Sequence, residues 1–199
     1  MNADRLPVQV VFQGEPFDRE AALHTLRHLA MRAGWQLRPR ASHRLLYAVA
    51  DDPAAVTAQE GTVVILSSPA VRAHLEQSRD PFPLRRTPDG DWLPFPHPRA
   101  ESHLPPGWIA ADVVAGAWAA LNLWFECRTR SPAHDGWIRW GEDWMARAGL
   151  PDAQPLADRW LARIAAAAAR VGWSRTLWQQ KGGFLGGTHT LVLTHDVDY

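Results

Sequence analysis

The chain has 199 residues, 46% of them hydrophobic, with 21 basic and 21 acidic side chains that cancel to a formal charge of zero. That length suits one domain, or one domain and the start of a second, with enough apolar residues to bury a core. A neutral balance without a basic stripe interleaved with aromatics argues against a nucleic-acid partner, and the single cysteine, Cys127, excludes an internal disulfide framework.

Met1 to Pro7 lacks a basic segment followed by an apolar one, so no secretory signal is expected and a cytoplasmic location is the default. Val8 to Phe12 is a compact apolar run ending at Gln13-Gly14 and reads as a buried strand. Asp18 is placed to cap a helix running to about Ala33, with Gly34 as its stop and Ala22, Leu26, Leu29, Ala30 and Ala33 as its apolar face. Leu45 to Ala50 is a second predicted strand and Thr62 to Leu66 a third; Ser67-Ser68-Pro69 then starts a short helix through Leu75. Strand, helix, strand, strand, helix implies an α/β layer with a mixed or partly parallel sheet.

Residues 81–106 hold eight of the sixteen prolines. Within them Thr87-Pro88-Asp89-Gly90 separates two extended stretches, Leu84-Arg85-Arg86 and Trp92-Leu93, which predicts a hairpin. Trp108 to Phe125 is the longest apolar stretch, but it contains Asp112 and Asn122 and a helical stripe, so it reads as core and not as a membrane span. A single helix is expected from Ala111 to Cys127, with Val113, Val114, Ala117, Trp118, Leu121, Trp124 and Phe125 on its apolar face. A polar loop over 131–141 and a short helix near Glu142 to Ala148 follow. Pro155 opens another helix, striped by Leu156, Trp160, Ile164 and Val171 and ended by Gly172. The C-terminal half is therefore largely helical, and the Gly-rich stretch 182–187 leads into a last strand, Leu191-Val192-Leu193.

Four features invite chemistry. His24 and His28 have the spacing that puts two imidazoles on one helix face, yet that face lies opposite the apolar one, beside Glu20 and Arg27, and no third ligand is fixed in sequence. The reading favours a solvated surface over a metal site. Of the eleven tryptophans, Trp118, Trp124 and Trp160 lie on helix stripes and are expected in the core, while Trp137, Trp140 and Trp144 are less constrained and leave a glycan platform open. Cys127 has no positioned base and reads as a buried structural thiol, not a nucleophile.

The fourth feature is Thr194-His195-Asp196-Val197-Asp198-Tyr199 at the end of the last apolar run. Side chains alternate along a strand, so Asp196 and Asp198 would face the same side, as a divalent metal or an acid–base pair requires. This stretch resembles the opening motif of polysaccharide deacetylase-like proteins, the carbohydrate esterase family 4 group, whose first strand ends in Thr-Phe-Asp-Asp or an Asp-x-Asp variant. Three upstream stretches resemble the uncharacterised domain that precedes such catalytic domains. They are Ile109 to Trp118 with Leu121, Trp124, Phe125 and Glu126; His134-Asp135-Gly136; and Pro155 to Trp160.

The resemblance implies an α/β accessory domain over 1–185, and over 186–199 the first strand of a deacetylase-type barrel that the chain does not continue. It implies that the intact protein is a metal-dependent hydrolase acting on an acylated amide of a sugar or related substrate, with the 199-residue chain itself inactive. Asp196 would be the general base, and Asp198 a ligand of Zn²⁺ or a similar divalent ion together with histidines of a later His-(Ser/Thr)-x-x-His motif. The implied partner is the downstream catalytic domain, with a glycan as a second candidate and a membrane as none. A non-catalytic packing or glycan-binding domain is the alternative. His195 replaces the usual aromatic, and one residue separates the acids.

Overall fold

The computed structural model describes residues 5–98, 104–122, 124–129, 144–150 and 156–173. Strand β1 (Leu6–Gln13) leads through helix α1 (Arg19–Arg32) to β2 (Trp35–Leu37), and then to β3 (His43–Val49) and β4 (Thr62–Ser67). After helix α2 (Ala70–Gln77) come the hairpin strands β5 (Leu84–Arg86) and β6 (Trp92–Pro94), a short β7 (Trp108–Ile109), and helices α3 (Val113–Leu121), α4 (Trp124–Thr129), α5 (Trp144–Arg147) and α6 (Leu156–Arg170).

The protein is α/β. Five strands form one sheet in the order β2-β1-β3-β4-β7, every pair of them parallel, and β5 and β6 form a separate antiparallel pair. β4 is buried at all six of its positions, as a central strand packed on both faces must be. One face carries the main core. There Val8, Leu45, Tyr47, Val63 and Ile65 of the sheet pack with Leu26 and Leu29 of α1, Val114 and Ala117 of α3, and Trp160 and Ile164 of α6. The other face is a smaller cluster of Leu46, Ala48, Val64 and Leu66, lined by Val56 and by the partly buried Leu104 and Trp108.

Local chemistry sets most element ends. The Asp18 side chain accepts from the Ala21 N–H at 2.9 Å and starts α1, and Gly34 at φ +74° follows its end. The hairpin turn closes through Gly90 N–H to Thr87 O at 2.9 Å, with Gly90 at φ +87°.

The expected elements are found at β1, α1, β3, β4, α2, the hairpin and α6, with end shifts of a few residues. Two strands were not expected. β2 and β7 are short, and each is defined by its pairing with a longer neighbour, Leu6↔Trp35 and Val64↔Trp108 being examples. The single helix expected over Ala111 to Cys127 is a pair. α3 stops at Asn122, whose backbone N–H and side-chain Nδ2 both donate to Trp118 O, at 3.0 and 2.8 Å, and α4 starts two residues later. The break also corrects the assigned face. Leu121, expected in the core, is 57% exposed, whereas α3 is buried continuously from Val113 through Ala117. Among the described residues no helix is long and apolar enough to cross a membrane.

Candidate functional site

Parallel α/β sheets place chemistry at the C-terminal ends of their strands. Here that edge holds a buried polar group. Tyr47 near the end of β3 and Ser67 at the end of β4 both donate to Oδ2 of Asp112, the Ser67 bond being 2.6 Å. Asp112 is the N-cap of α3, and its Oδ1 accepts from the Ala115 N–H at 2.8 Å. Tyr47 and Asp112 are both fully buried, and Ser67 is 2% exposed.

The flanking chain is bent to fit this edge. Phe95 has φ +43°, unlike any other described non-glycine residue, a conformation that bulky side chains rarely adopt. The bend places its carbonyl 3.1 Å from the Asp112 N–H and its ring in a stack with Phe82. Two residues on, the buried His97 donates from Nε2 to Ala50 O at 2.8 Å, which fixes a proton on that nitrogen because a carbonyl can only accept.

Burial pushes the Asp112 carboxyl above its ordinary value, and it outweighs the opposing hydrogen bonds from Ala115, Ser67 and Tyr47. Burial first, and then the Asp112 charge, raise the Tyr47 phenol well above its ordinary value, so Tyr47 remains a proton donor. Nearby, burial lowers His74, which packs edge-on against Phe95 and beside Trp124. Two cavities, of about 430 and 840 Å³, lie around Pro105, Pro106, Trp108 and Arg170, and neither is lined by Tyr47, Ser67 or Asp112. Through its bonds to Tyr47, Ser67 and the Ala115 N–H, the Asp112 carboxyl is a polar pin that holds the N-terminus of α3 against the ends of β3 and β4.

The sequence-predicted site residues fall elsewhere. Asp196 and Asp198 lie outside the described residues, as do Trp137, Trp140, the loop 134–136 and the Gly-rich stretch 182–187. Cys127, expected as a buried thiol, is instead exposed on α4. Trp124 and Trp160 are core residues as expected, and Trp118 is half-buried. His24 and His28 are exposed on α1, with their Nε2 atoms 3.1 Å apart. Among the described residues no group of three or more His, Cys, Asp or Glu is placed to hold a metal ion.

The buried Asp112 group was missed. Its one sequence signal is an Asp standing immediately before an apolar helical run, which is the mark of an N-cap. Nothing in the text joins it to Tyr47 or Ser67.

No family model matches the chain, and neither a curated protein nor a solved structure is recognisably similar to it.

Proposed function

We propose that the α/β unit is the accessory domain of a polysaccharide deacetylase-like, metal-dependent hydrolase that acts on an acylated amide of a sugar or related substrate. In this reading the last strand, Leu191 to Leu193, opens the catalytic barrel, Asp196 is the general base, and Asp198 is one metal ligand. The observation that carries the proposal is the ordered set of resembling stretches, at Ile109 to Trp118, Pro155 to Trp160 and Thr194 to Tyr199.

The packing of α3 on α6 supports treating the first two stretches as one domain. Gly116 lies so close to Trp160 and Pro94 that a Cβ there would stand 3.3 Å from the Trp160 ring. The Asp112 pin supports an accessory role, because its carboxyl is already engaged by three donors and capped inside the core.

The family's ion, when bound, polarises the scissile carbonyl and acidifies a water. A single carboxylate does not make such a centre, and the described residues contribute no group of three donors to it. What Asp196 would do is accept the proton of the attacking water.

The test is hydrolysis of N-acetylated oligosaccharides by the product of the complete gene, with and without Zn²⁺. Metal-dependent release of acetate that is abolished by Asp196→Asn and by Asp198→Asn is expected, together with a His-(Ser/Thr)-x-x-His motif encoded beyond Tyr199. Unchanged activity in both variants, or no such motif, overturns the proposal. A purely packing role is the second reading, favoured by the burial of Trp35, Trp124, Trp160 and Trp173, which leaves those indoles no free face for a sugar.

A further inference from the structure

The helix α1 presents an arrangement that neither the sheet core nor the proposed hydrolase uses. His24 and His28 are one helical turn apart on its solvent face, and their ring centroids are 4.6 Å apart while their Nε2 atoms are 3.1 Å apart. The nitrogens are closer than the rings because they share one hydrogen bond, its donor set by the tautomer, and a metal ion bound by both would take the place of that shared proton. Their backbone support is firm on both sides. Leu26, Leu29 and Ala30 anchor the opposite face of the helix in the core, and Asp18 caps its start. Thr25, between them in sequence, is turned inward and donates to Ala21 O at 2.9 Å, so it does not compete for a ligand on the outer face.

We propose that His24 and His28 form a surface chelate for a divalent transition-metal ion of the Cu²⁺, Ni²⁺ and Zn²⁺ class. Two metal–nitrogen bonds of about 2.0–2.1 Å, closed on a 3.1 Å separation, subtend roughly 100° at the metal. That angle lies between those of square-planar and tetrahedral centres, so the pair accepts either geometry with little movement. Neutral imidazole is a poor ligand for Mg²⁺ and Ca²⁺, which prefer oxygen, and this sets the selectivity. Among the described residues no third His, Cys, Asp or Glu completes the set, and in the proposed site water takes the remaining positions. The inference is independent of any role for Asp196 and Asp198.

The experiment is calorimetric titration of the 199-residue chain with Cu²⁺, Ni²⁺, Zn²⁺ and Mg²⁺, repeated on His24→Ala, His28→Ala and Asp198→Asn. One site is expected that takes Cu²⁺ most tightly and ignores Mg²⁺. Either histidine variant should weaken it at least about tenfold, since one imidazole remains, and Asp198→Asn should leave it intact. Metal should also raise the thermal unfolding midpoint of the parent chain, and not that of the two histidine variants. Both histidines are solvent-exposed, so the variants should fold, as circular dichroism checks; His28→Gln provides a second, helix-favouring replacement. Equal affinity and stoichiometry in the parent and the histidine variants, or loss of the site in Asp198→Asn alone, would overturn the proposal.

Discussion

Tyr47, on β3, donates its phenolic proton to Asp112, the N-cap of α3, 65 residues later in the chain. The bond ties the middle of the sheet to the start of α3 in a region with no exposure to water. A buried carboxylate with three donors is an all-or-none arrangement, because removing the acceptor leaves the donors unsatisfied. Asp112→Ala removes an N-cap worth about 1 kcal/mol and orphans the Tyr47 hydroxyl, for a combined loss of about 3 kcal/mol. Tyr47→Phe removes one donor and keeps the cap, and should cost about half as much. Chemical denaturation midpoints at neutral pH check the ranking, and equal costs for the two variants would refute it.

The same carboxyl gives the fold a pH signature. Burial raises its folded value above the ordinary 3.8, so the folded state holds the proton more tightly than the unfolded one. Its contribution to stability is therefore fully present below the ordinary value and is lost as pH rises through the raised one. Asp112→Asn removes the titration and keeps a capping oxygen, and the Tyr47 and Ser67 hydroxyls can rotate to accept from the amide. The stability of the parent chain minus that of Asp112→Asn should fall as pH rises above about 4, then level off. A difference that grows with pH would reverse the argument.

Arg163 of α6 is the hub that fastens the β5–β6 hairpin. Its Nε donates to Asp91 at 2.9 Å, and its Nη2 reaches Thr87 at 3.1 Å and Asp89 at 2.7 Å. Arg159 adds a 3.0 Å bond to the other Asp91 oxygen. The exposed Asp89 contributes little, whereas the Asp91 and Thr87 bonds are partly sheltered. Arg163→Ala should cost about 1–2 kcal/mol through those two partners. Arg163→Lys should recover less than half of that, because an ammonium cannot reproduce the planar fork. Thermal unfolding of the three proteins decides the matter; a full rescue by lysine would mean that charge alone holds the hairpin.

How far the sequence could be read depends on how local each signal is. Asp18, Gly34, Gly90 and Gly172 act within a few residues of themselves, and α1, the hairpin and α6 were read correctly from them. β2 and β7 have no such signal. Trp35 and Leu37 are strand residues because β1 lies beside them, and β7 exists because β4 needs a neighbour. The break at Asn122 was hidden for another reason. The apolar spacing runs on through Leu121 to Trp124, but Trp124 is used elsewhere, its indole donating to Leu75 O at 3.1 Å. The Asp112 group was the least legible, since only the strand order brings Tyr47, Ser67 and Asp112 together. The Asp-x-Asp stretch was the opposite case, plain as text and outside the described residues.

Gly116 puts helix propensity and packing in direct opposition. It occupies the interior of α3, where replacing glycine by alanine ordinarily gains about 1 kcal/mol. A Cβ at this position, however, would run into Cγ and Cβ of Pro94, with the Trp160 ring at 3.3 Å behind them. Neither neighbour can step aside freely. Pro94 is a rigid ring at the end of β6, and Trp160 is fully buried, with its indole N–H bonded to Trp92 O at 2.7 Å. Accommodating the methyl therefore means moving α3 away from the hairpin, and overpacking of this kind costs about 1–3 kcal/mol. The net effect of Gly116→Ala should be destabilising. The double variant Gly116→Ala, Pro94→Ala separates the causes, because removing Cγ clears one of the two clashing atoms. If the clash sets the cost, the double variant should lose less stability than the sum of the two single changes. A single variant more stable than the parent would show that the α3–hairpin contact yields more readily than its geometry indicates.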